Sequence, residues 1–565
     1  MKRILFLFLL LSLTVAGLRA QQEERAAQQI LEQRGEVYFS FIPKPFNSLE
    51  QISGIISIDR INADGRVYAY ANAREFNRFQ GLKLSWRLEQ ETLLPLQGLM
   101  APSMAAFMQS WNIYPTYDQY DSLMHKLATD YPSICRYHEI GNTPGGHKIM
   151  LLQLGDNVAQ HEKEPRLLYT SSMHGDELTG YVLMLRLAHY LLSNYGQDAR
   201  VDSLMNNVEI WINPLANPDG AYYTADSTVI SAKRYNYNFV DLNRNYPDPY
   251  AGQHPDGNSW QPETQYFMAL ADSLEFNVSA NFHGGAEVMN YPWDCWSKLP
   301  ADVDWWLYVC RQYADSAQAN GPQNYFTVPS GTGVINGYQW YPIFGGRQDF
   351  MNYFQHCREV TVELSGAKMP AVNDLPIFWN ANFVSLMNYM EQARYGLRGV
   401  ITDSISGKPL KARVFITGHD QDSSHVWSRQ SGGDYYRYLD SGFYDITYWA
   451  PHYKAKTISN VHIQRDSSTV VNVALAKDYT AMGELPQFDF LLYPNPVQDV
   501  LFIHSAKEVQ YARLYSLEGR ELKQWNLNSA KEFQLKAGDF PAGIYFLELI
   551  SREGERAVRR IVLHE

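Results

Sequence analysis

His174-Gly175-Asp176-Glu177 follows the apolar run Leu167-Leu168-Tyr169. An imidazole and a carboxylate three residues apart, on a turn leaving a strand, can converge on one metal ion. A catalytic zinc site needs a third protein ligand and one position left open for water. Ser279-Ala280-Asn281-Phe282-His283-Gly284-Gly285 offers that ligand in His283, at the end of a second short apolar run. In open α/β sheets, sites assemble outside the carboxyl ends of strands. Alone, the three residues are a weak signal, because such sets arise by chance on many surfaces. The sequence has no HExxH, GxSxG or GxxxxGK[ST], which argues against a zincin, a typical α/β-hydrolase and a P-loop enzyme.

The elements that would position these residues lie in a block covering 113–395. Helical patterns at Tyr117–Tyr131 and Gly180–Tyr195 alternate there with apolar runs at Lys148–Leu154, Arg166–Ser171 and Val208–Asn213. That alternation predicts an α/β domain whose sheet is mixed but mostly parallel, with helices on both faces. Upstream, residues 21–100 predict a small α+β domain, with strands at Val37–Ile42, Arg66–Ala73 and Lys83–Glu89 and a helix at Leu49–Ile56. This alternation is compatible with a ferredoxin-like fold, and the domain is a candidate pro-segment covering a cleft, with a permanent accessory module as the alternative. A loop-like stretch at Pro95–Ser110 is expected to separate the two. After Gly396 short strands recur, punctuated by Gly, Asp and Pro, and predict an all-β sandwich over 397–476 and a second all-β unit over 488–565.

Further blocks stand in order between and beyond the two histidine segments. Arg234 precedes Asp241-Leu242-Asn243-Arg244-Asn245-Tyr246-Pro247. Trp340-Tyr341, Gly345-Gly346-Arg347-Gln348-Asp349-Phe350 and Val360-Thr361-Val362-Glu363-Leu364-Ser365 come later. The ordered set resembles the funnelin-type zinc metallocarboxypeptidases, N/E-type branch, over roughly half the chain. The resemblance implies that His174, Glu177 and His283 hold one Zn2+ and that Asp241 orients His174. Glu363 would be the general base, and Arg234 would stabilise the oxyanion. Asn243, Arg244 and Tyr341 would clamp the substrate's C-terminal carboxylate, which makes the enzyme an exopeptidase acting on peptide or protein C-termini. Asp294, eleven residues after His283, and Gln348 match positions lining a pocket for a basic side chain, so release of C-terminal Arg or Lys is expected. Arg347 would oppose that preference if it pointed into the pocket, and Asp294 has an alternative reading as a solvated loop residue. Taken singly, Arg234 reads as a surface charge, Tyr341 as a core aromatic and Glu363 as a salt-bridge partner. A cell-wall peptide hydrolase and a catalytically inactive peptide-binding member are the alternatives within the family.

Residues 397–476 resemble the transthyretin-like sandwich that follows the catalytic domain in that branch. The supporting stretches are Gly399-Val400-Ile401-Thr402 and Tyr435–Trp449. Residues 488–565 resemble the C-terminal sorting domain of type IX secretion cargo, carried by Tyr493-Pro494-Asn495-Pro496, Leu514–Arg520, Phe540–Tyr545 and Arg559–Leu563. This implies the type IX machinery as a partner and secretion or outer-membrane surface attachment. At the other end, Lys2 and Arg3 precede an apolar run with small residues at Ala16, Gly17 and Ala20, so residues 1–20 are read as a secretory signal peptide. No segment is long and apolar enough for a transmembrane span. Cys135, Cys295, Cys310 and Cys357 lack CxxC spacing, and their pairing is open between disulfides and buried thiols.

The chain has 565 residues and a formal net charge of −12. Several domains and no nucleic-acid partner follow from those two numbers. Residues 113–395 carry 16 positive and 30 negative side chains, so the acidic excess sits in the proposed catalytic block. A field of that sign favours basic peptides.

Overall fold

The computed structural model describes residues 21–89, 99–328, 331–478, 488–517 and 519–564. The signal-peptide reading at 1–20 lies outside the described residues. The N-terminal unit is a four-stranded antiparallel sheet formed by β1 (Val37–Phe41), β2 (Ser57–Ile61), β3 (Val67–Ala71) and β4 (Trp86–Leu88), in the order β2-β3-β1-β4. Helices Leu49–Ser53 and Ala73–Gln80 complete a β-α-β-β-α-β, ferredoxin-like element order. Asn72 and Glu75 cap the second helix reciprocally, which fixes its start. Two elements differ from the sequence reading. β2 is absent from it, because Ser-Ile-Asp-Arg-Ile carries no extended apolar run. Met104–Ser110, read as loop, is a helix opened by Ser103, whose hydroxyl accepts from the Ala106 N–H.

The largest unit is built on eight strands: β5 (Cys135–Asn142), β6 (Lys148–Leu154), β7 (Arg166–Ser171), β8 (Glu209–Asn213), β9 (Val278–His283), β10 (Ala286–Tyr291), β11 (Val334–Asn336) and β12 (Arg358–Ser365). Their order is β11-β10-β12-β9-β7-β8-β6-β5. The centre, β12-β9-β7-β8, is parallel, while β10 joins β12, and β6 joins β8, antiparallel. The central strands are buried along their whole length, which is why they read as continuous apolar runs. One face is covered by helices Thr179–Asn194, Val303–Asn320 and Leu375–Gln392. The other carries Pro262–Leu274 and Arg347–Tyr353. This is an α/β fold whose mixed sheet has a parallel centre and helices on both faces.

Among the described residues beyond Tyr395, the regular elements are all strands. Two four-stranded sheets, one around Gly396–Asp403 and one around Gly442–Trp449, enclose their own apolar core. Five further strands from Phe490 to Leu563 form a last sheet with a separate core. A buried charge network joins the first β unit to the α/β unit. Asp302 accepts from Arg437 at 2.7 and 2.9 Å and from Arg358 at 2.8 Å, and Arg437 also reaches Asp420. Burial pushes the Asp302 carboxyl up, but Arg437 and Arg358 outweigh it and hold it below the usual range. Arg437→Met should therefore cost about 3–5 kcal/mol, because it takes from Asp302 and Asp420 the buried cation they share and leaves Arg358 as the one arginine on Asp302. A urea midpoint unchanged from wild type would contradict this. All four cysteines are free and buried; Cys135, Cys310 and Cys357 lie in packed apolar cores. Among the described residues no helix is long and apolar enough to cross a membrane.

Candidate active site

Three adjacent parallel strands bring the chemistry together at their carboxyl ends. β7 leads into the turn carrying His174 and Glu177, β9 ends on His283, and β12 carries Glu363. Glu363 is the register partner of His283, so both side chains leave the same face one strand apart. The turn after β7 is tight. A Cβ on Gly175 would lie 2.4 Å from the Gly220 carbonyl carbon, so this position between His174 and Glu177 admits only hydrogen.

His174 Nδ1 lies 3.1 Å from His283 Nδ1, and Glu177 Oε2 lies 3.0 Å from the first and 2.8 Å from the second. All three residues are buried. Tetrahedral ligands at about 2.0–2.2 Å from one ion are separated by edges of roughly 3.3–3.5 Å. The donor set, two imidazoles and a carboxylate with no thiolate, fits zinc with a position left for water. Asp241 Oδ1 accepts from His174 Nε2 at 3.0 Å, which leaves Nδ1 as the lone-pair nitrogen. The Asn281 side-chain amide lies 2.8 Å from His283 Nε2.

Asp241 is the hub behind this set. It also accepts from Arg234 Nε at 3.0 Å, the Asn243 N–H at 2.8 Å and the Ser57 hydroxyl at 2.6 Å. Burial raises its carboxyl, but Arg234 and His174 hold it well below the usual range. Glu177 follows the same pattern: burial raises it, and His174, Lys368 and His283 together pull it well down. Glu363 goes the other way. Burial, then the Glu177 charge, push it well above an ordinary carboxyl. Glu363 Oε2 is buried and has no hydrogen-bond partner.

The same cleft is lined by Arg234, Asn243, Arg244, Asn290, Asp294, Tyr341 and Glu363. Arg244 forms no ion pair among the described residues. Its Nη1 donates to the Asn243 carbonyl at 2.9 Å, and its Nε has no partner. Gln348 Nε2 donates to Asp294 Oδ1 and Asn290 Oδ1, both at 3.0 Å, and its Oε1 accepts from the Thr361 N–H. Arg347 turns away from the cleft. Its guanidinium pairs with Glu359 at 2.9 Å and also reaches Thr170, both buried. It therefore does not oppose a cation beside Asp294.

Sequence reasoning did not single out Lys368, Ser57 or Asp59. Lys368 Nζ lies 2.6 Å from Glu177 Oε1 and 2.9 Å from Asp59 Oδ1. A lone lysine in Ser-Gly-Ala-Lys-Met-Pro has no spacing signature. Ser57 and Asp59 belong to β2, which lies along the cleft. Arg244 Nη2 donates to the Ile58 carbonyl at 3.4 Å and Tyr341 Oη to the Asp59 carbonyl at 3.3 Å.

The family model described as zinc carboxypeptidase matches residues 120–385, and that of the secretion system C-terminal sorting domain matches 491–564. Human carboxypeptidase D is 35% identical over 377 residues, covering 63% of this chain and 26% of that protein. Mouse carboxypeptidase M is 34% identical over 372 residues, covering 63% of this chain and 81% of that one. Arabidopsis thaliana carboxypeptidase SOL1 is 33% identical over 353 residues, covering 61% and 69%. This chain thus spans about a quarter of the carboxypeptidase D relatives and most of the shorter ones. A solved carboxypeptidase A from Helicoverpa armigera aligns with a TM-score of 0.49 and 16% identity, over 64% of this chain and 97% of that one.

Proposed function

This chain belongs to the zinc carboxypeptidase family, and on that footing we propose that it hydrolyses the C-terminal peptide bond of peptides, releasing Arg or Lys. The family's cofactor is zinc, and the sorting domain marks the chain for type IX secretion to the cell surface or beyond. The observation that carries the reading is the meeting in one cleft of three ligand atoms within 3.1 Å of each other, an unpartnered glutamate and an unpaired arginine.

His174, Glu177 and His283 would hold the zinc, which would polarise the scissile carbonyl and acidify a water. Glu363 takes a proton from the attacking water and returns it to the departing amine. Arg234, oriented by Asp241, donates to the carbonyl oxygen as charge develops there. Arg244 binds the terminal carboxylate in a planar, two-pronged geometry, with Asn243 and Tyr341 beside it. A chain lacking that carboxylate leaves those donors unpaired, which favours exopeptidase over endopeptidase action. Asp294, held by Gln348, faces the cationic side chain. Residues 397–476 form a transthyretin-like support. The N-terminal domain is a pro-segment whose strand β2 occupies the cleft.

Peptides ending in Arg, Lys, Phe or Asp, incubated with the proteolytically trimmed protein, should lose only Arg and Lys, and a chelator should stop the release. Absence of chelator-sensitive release from every peptide would sink the enzyme assignment, and release of Phe before Arg would sink the pocket assignment. Gly337 provides a sharper probe. A Cβ there would lie 1.7 Å from Asp294 Oδ1. Gly337→Ala should raise KM for Arg-ending peptides about tenfold or more by displacing that carboxylate, since an ångström of misplacement costs up to roughly 100-fold. Unchanged KM would place Asp294 outside the pocket.

A further inference from the structure

Behind the pocket lie two carboxyl groups that the mechanism above does not use. Asp349 and Asp248 are buried, like Asp294, and come from separate segments. Asp349, on the helix Arg347–Tyr353, accepts from the Asp294 N–H at 3.0 and 3.1 Å and from the Cys295 N–H at 2.8 Å. It thereby clamps the turn that carries Asp294. Asp248 accepts from the Tyr250 and Ala251 N–H groups at 2.8 and 2.7 Å and from the Gly345 N–H at 2.8 Å. It clamps the turn that sets Gly346 against Asp294, where a Cβ would lie 3.4 Å from Asp294 Oδ2. Carboxylate oxygens of Asp248 and Asp349 and Cys295 Sγ all lie within 4.8 Å of one another. Both oxygens of each of these two carboxyls already accept a main-chain N–H, so the arrangement is a clamp and not an open ligand set.

The charge balance around the three carboxyls is uneven. None of them makes an ion pair among the described residues. The cation acting on Asp294 is Arg244, which is reserved for the substrate's carboxylate. Asn290, Gln348 and Gly337, also packed against Asp294, are neutral, while Glu363 and Tyr341 line the cleft beyond. Burial, then Asp349 and Asp248, push Asp294 well above an ordinary carboxyl. Burial and the Asp248 charge push Asp349 up to about 7, and burial pushes Asp248 to about 6 against its main-chain donors. Burial and the same carboxylates push the Cys295 thiol up, so it adds no charge near neutrality. Three buried carboxyls share one cation, and each is pushed toward its protonated form.

We propose that Asp349 and Asp248 are positioning residues for the basic side-chain pocket, and that the three carboxyls act as one acid which releases a proton to solvent when a C-terminal Arg or Lys enters. This rests on the reading of Asp294 as the side-chain contact. The sign follows directly. Below neutrality the trio is protonated and attracts a cation weakly; as pH rises it ionises and attracts it strongly. Preference for Arg over its uncharged isostere citrulline therefore grows with pH.

The test uses the secreted protein, as the full chain and after limited proteolysis, with peptides ending in Arg or citrulline between pH 5.5 and 8. The ratio of kcat/KM for the two should rise at least tenfold across that range. In Asp349→Asn, which removes one charge and one acceptor, the rise should shrink below threefold, with the loss in KM for the Arg-ending peptide. Asp248→Asn should act in the same direction, and thermal unfolding checks that each variant is folded. L-arginine mixed with wild type in weak buffer at pH 6.5 should release close to one proton per molecule bound, and citrulline none. A pH-independent Arg preference in wild type, or binding of L-arginine without proton release, overturns the inference. Absence of any Arg preference at every pH instead overturns the assignment of Asp294 to the pocket.

Discussion

Glu363→Gln is expected to lower kcat by roughly 10⁴-fold, the upper range for a positioned general base, while the protein retains one zinc per chain. The expectation follows from where Glu363 sits. It pairs in register with His283, so its carboxylate reaches over the metal-binding set from the next strand without belonging to it. The ligand atoms of His174, Glu177 and His283 already close on each other within 3.1 Å and do not need it. Burial and Glu177 push its carboxyl up. A cation held by the neighbouring ligand set would reverse that local logic and favour the basic form. Gln keeps the shape and removes the basicity, so Arg-ending peptides should still bind within about threefold, the scale of a lost neutral contact. Metal content by atomic absorption, peptide binding by calorimetry and single-turnover kinetics separate the three quantities. Turnover within tenfold of wild type would remove Glu363 from the base role. Loss of zinc together with turnover would make it a ligand.

How much of this was legible in the sequence depends on what kind of signal each feature leaves. Lys148–Leu154 and Arg166–Ser171 were readable to the residue, because a strand buried on both faces is a continuous apolar run with polar ends. His174, Glu177 and His283 stand where such runs end, a weak signal alone that became readable through the ordered blocks between and beyond them. Other features left no such trace. The direction of Arg347 is set by Glu359 on a strand that packs behind its helix, a partner that spacing does not reveal. Asp349 reads as an ordinary helix residue, and only the fold turns its carboxylate onto the Asp294 and Cys295 amides. β2 is the clearest case. Its contribution to the cleft is made partly by the carbonyl oxygens of Ile58 and Asp59, and main-chain atoms carry no sequence signature. The helix Met104–Ser110 was missed because about two turns give too short a period to read.

Those carbonyls lead to the second large effect. Cutting the folded chain so that the N-terminal domain is released should raise kcat/KM for Arg-ending peptides by about 100-fold. The donors that would bind a substrate carboxylate are engaged by β2: Arg244 Nη2 with the Ile58 carbonyl at 3.4 Å and Tyr341 Oη with the Asp59 carbonyl at 3.3 Å. Four further contacts hold the domain there, two from β2 and two from Glu36 just before β1. Ser57 donates to Asp241 at 2.6 Å, Lys368 pairs with Asp59 at 2.9 Å, and Glu36 accepts from the Arg234 and Tyr235 N–H groups at 2.9 Å each. Tyr341 and Ile343 share an apolar core with Phe41, Ile58 and Val67 of the domain. Neutral carbonyls at long range are weaker partners for a guanidinium than a carboxylate is. Substrate therefore wins each donor on contact strength and loses on proximity, because the domain is tethered at an effective concentration of order millimolar. If the domain stands clear about 1% of the time, apparent affinity falls by the same factor, which is the source of the 100-fold figure. Asp59→Ala removes the ion pair with Lys368 and the hydrogen bond from Tyr38 Oη but leaves both carbonyls in place, so it should activate the full chain a few-fold at most. Ser57→Ala with Asp59→Ala should activate it further. The decisive measurement adds the separated domain back to the trimmed enzyme: inhibition competitive with an Arg-ending peptide is expected, and equal activity of the full, trimmed and reconstituted protein would mean that β2 swings clear unaided and guards nothing.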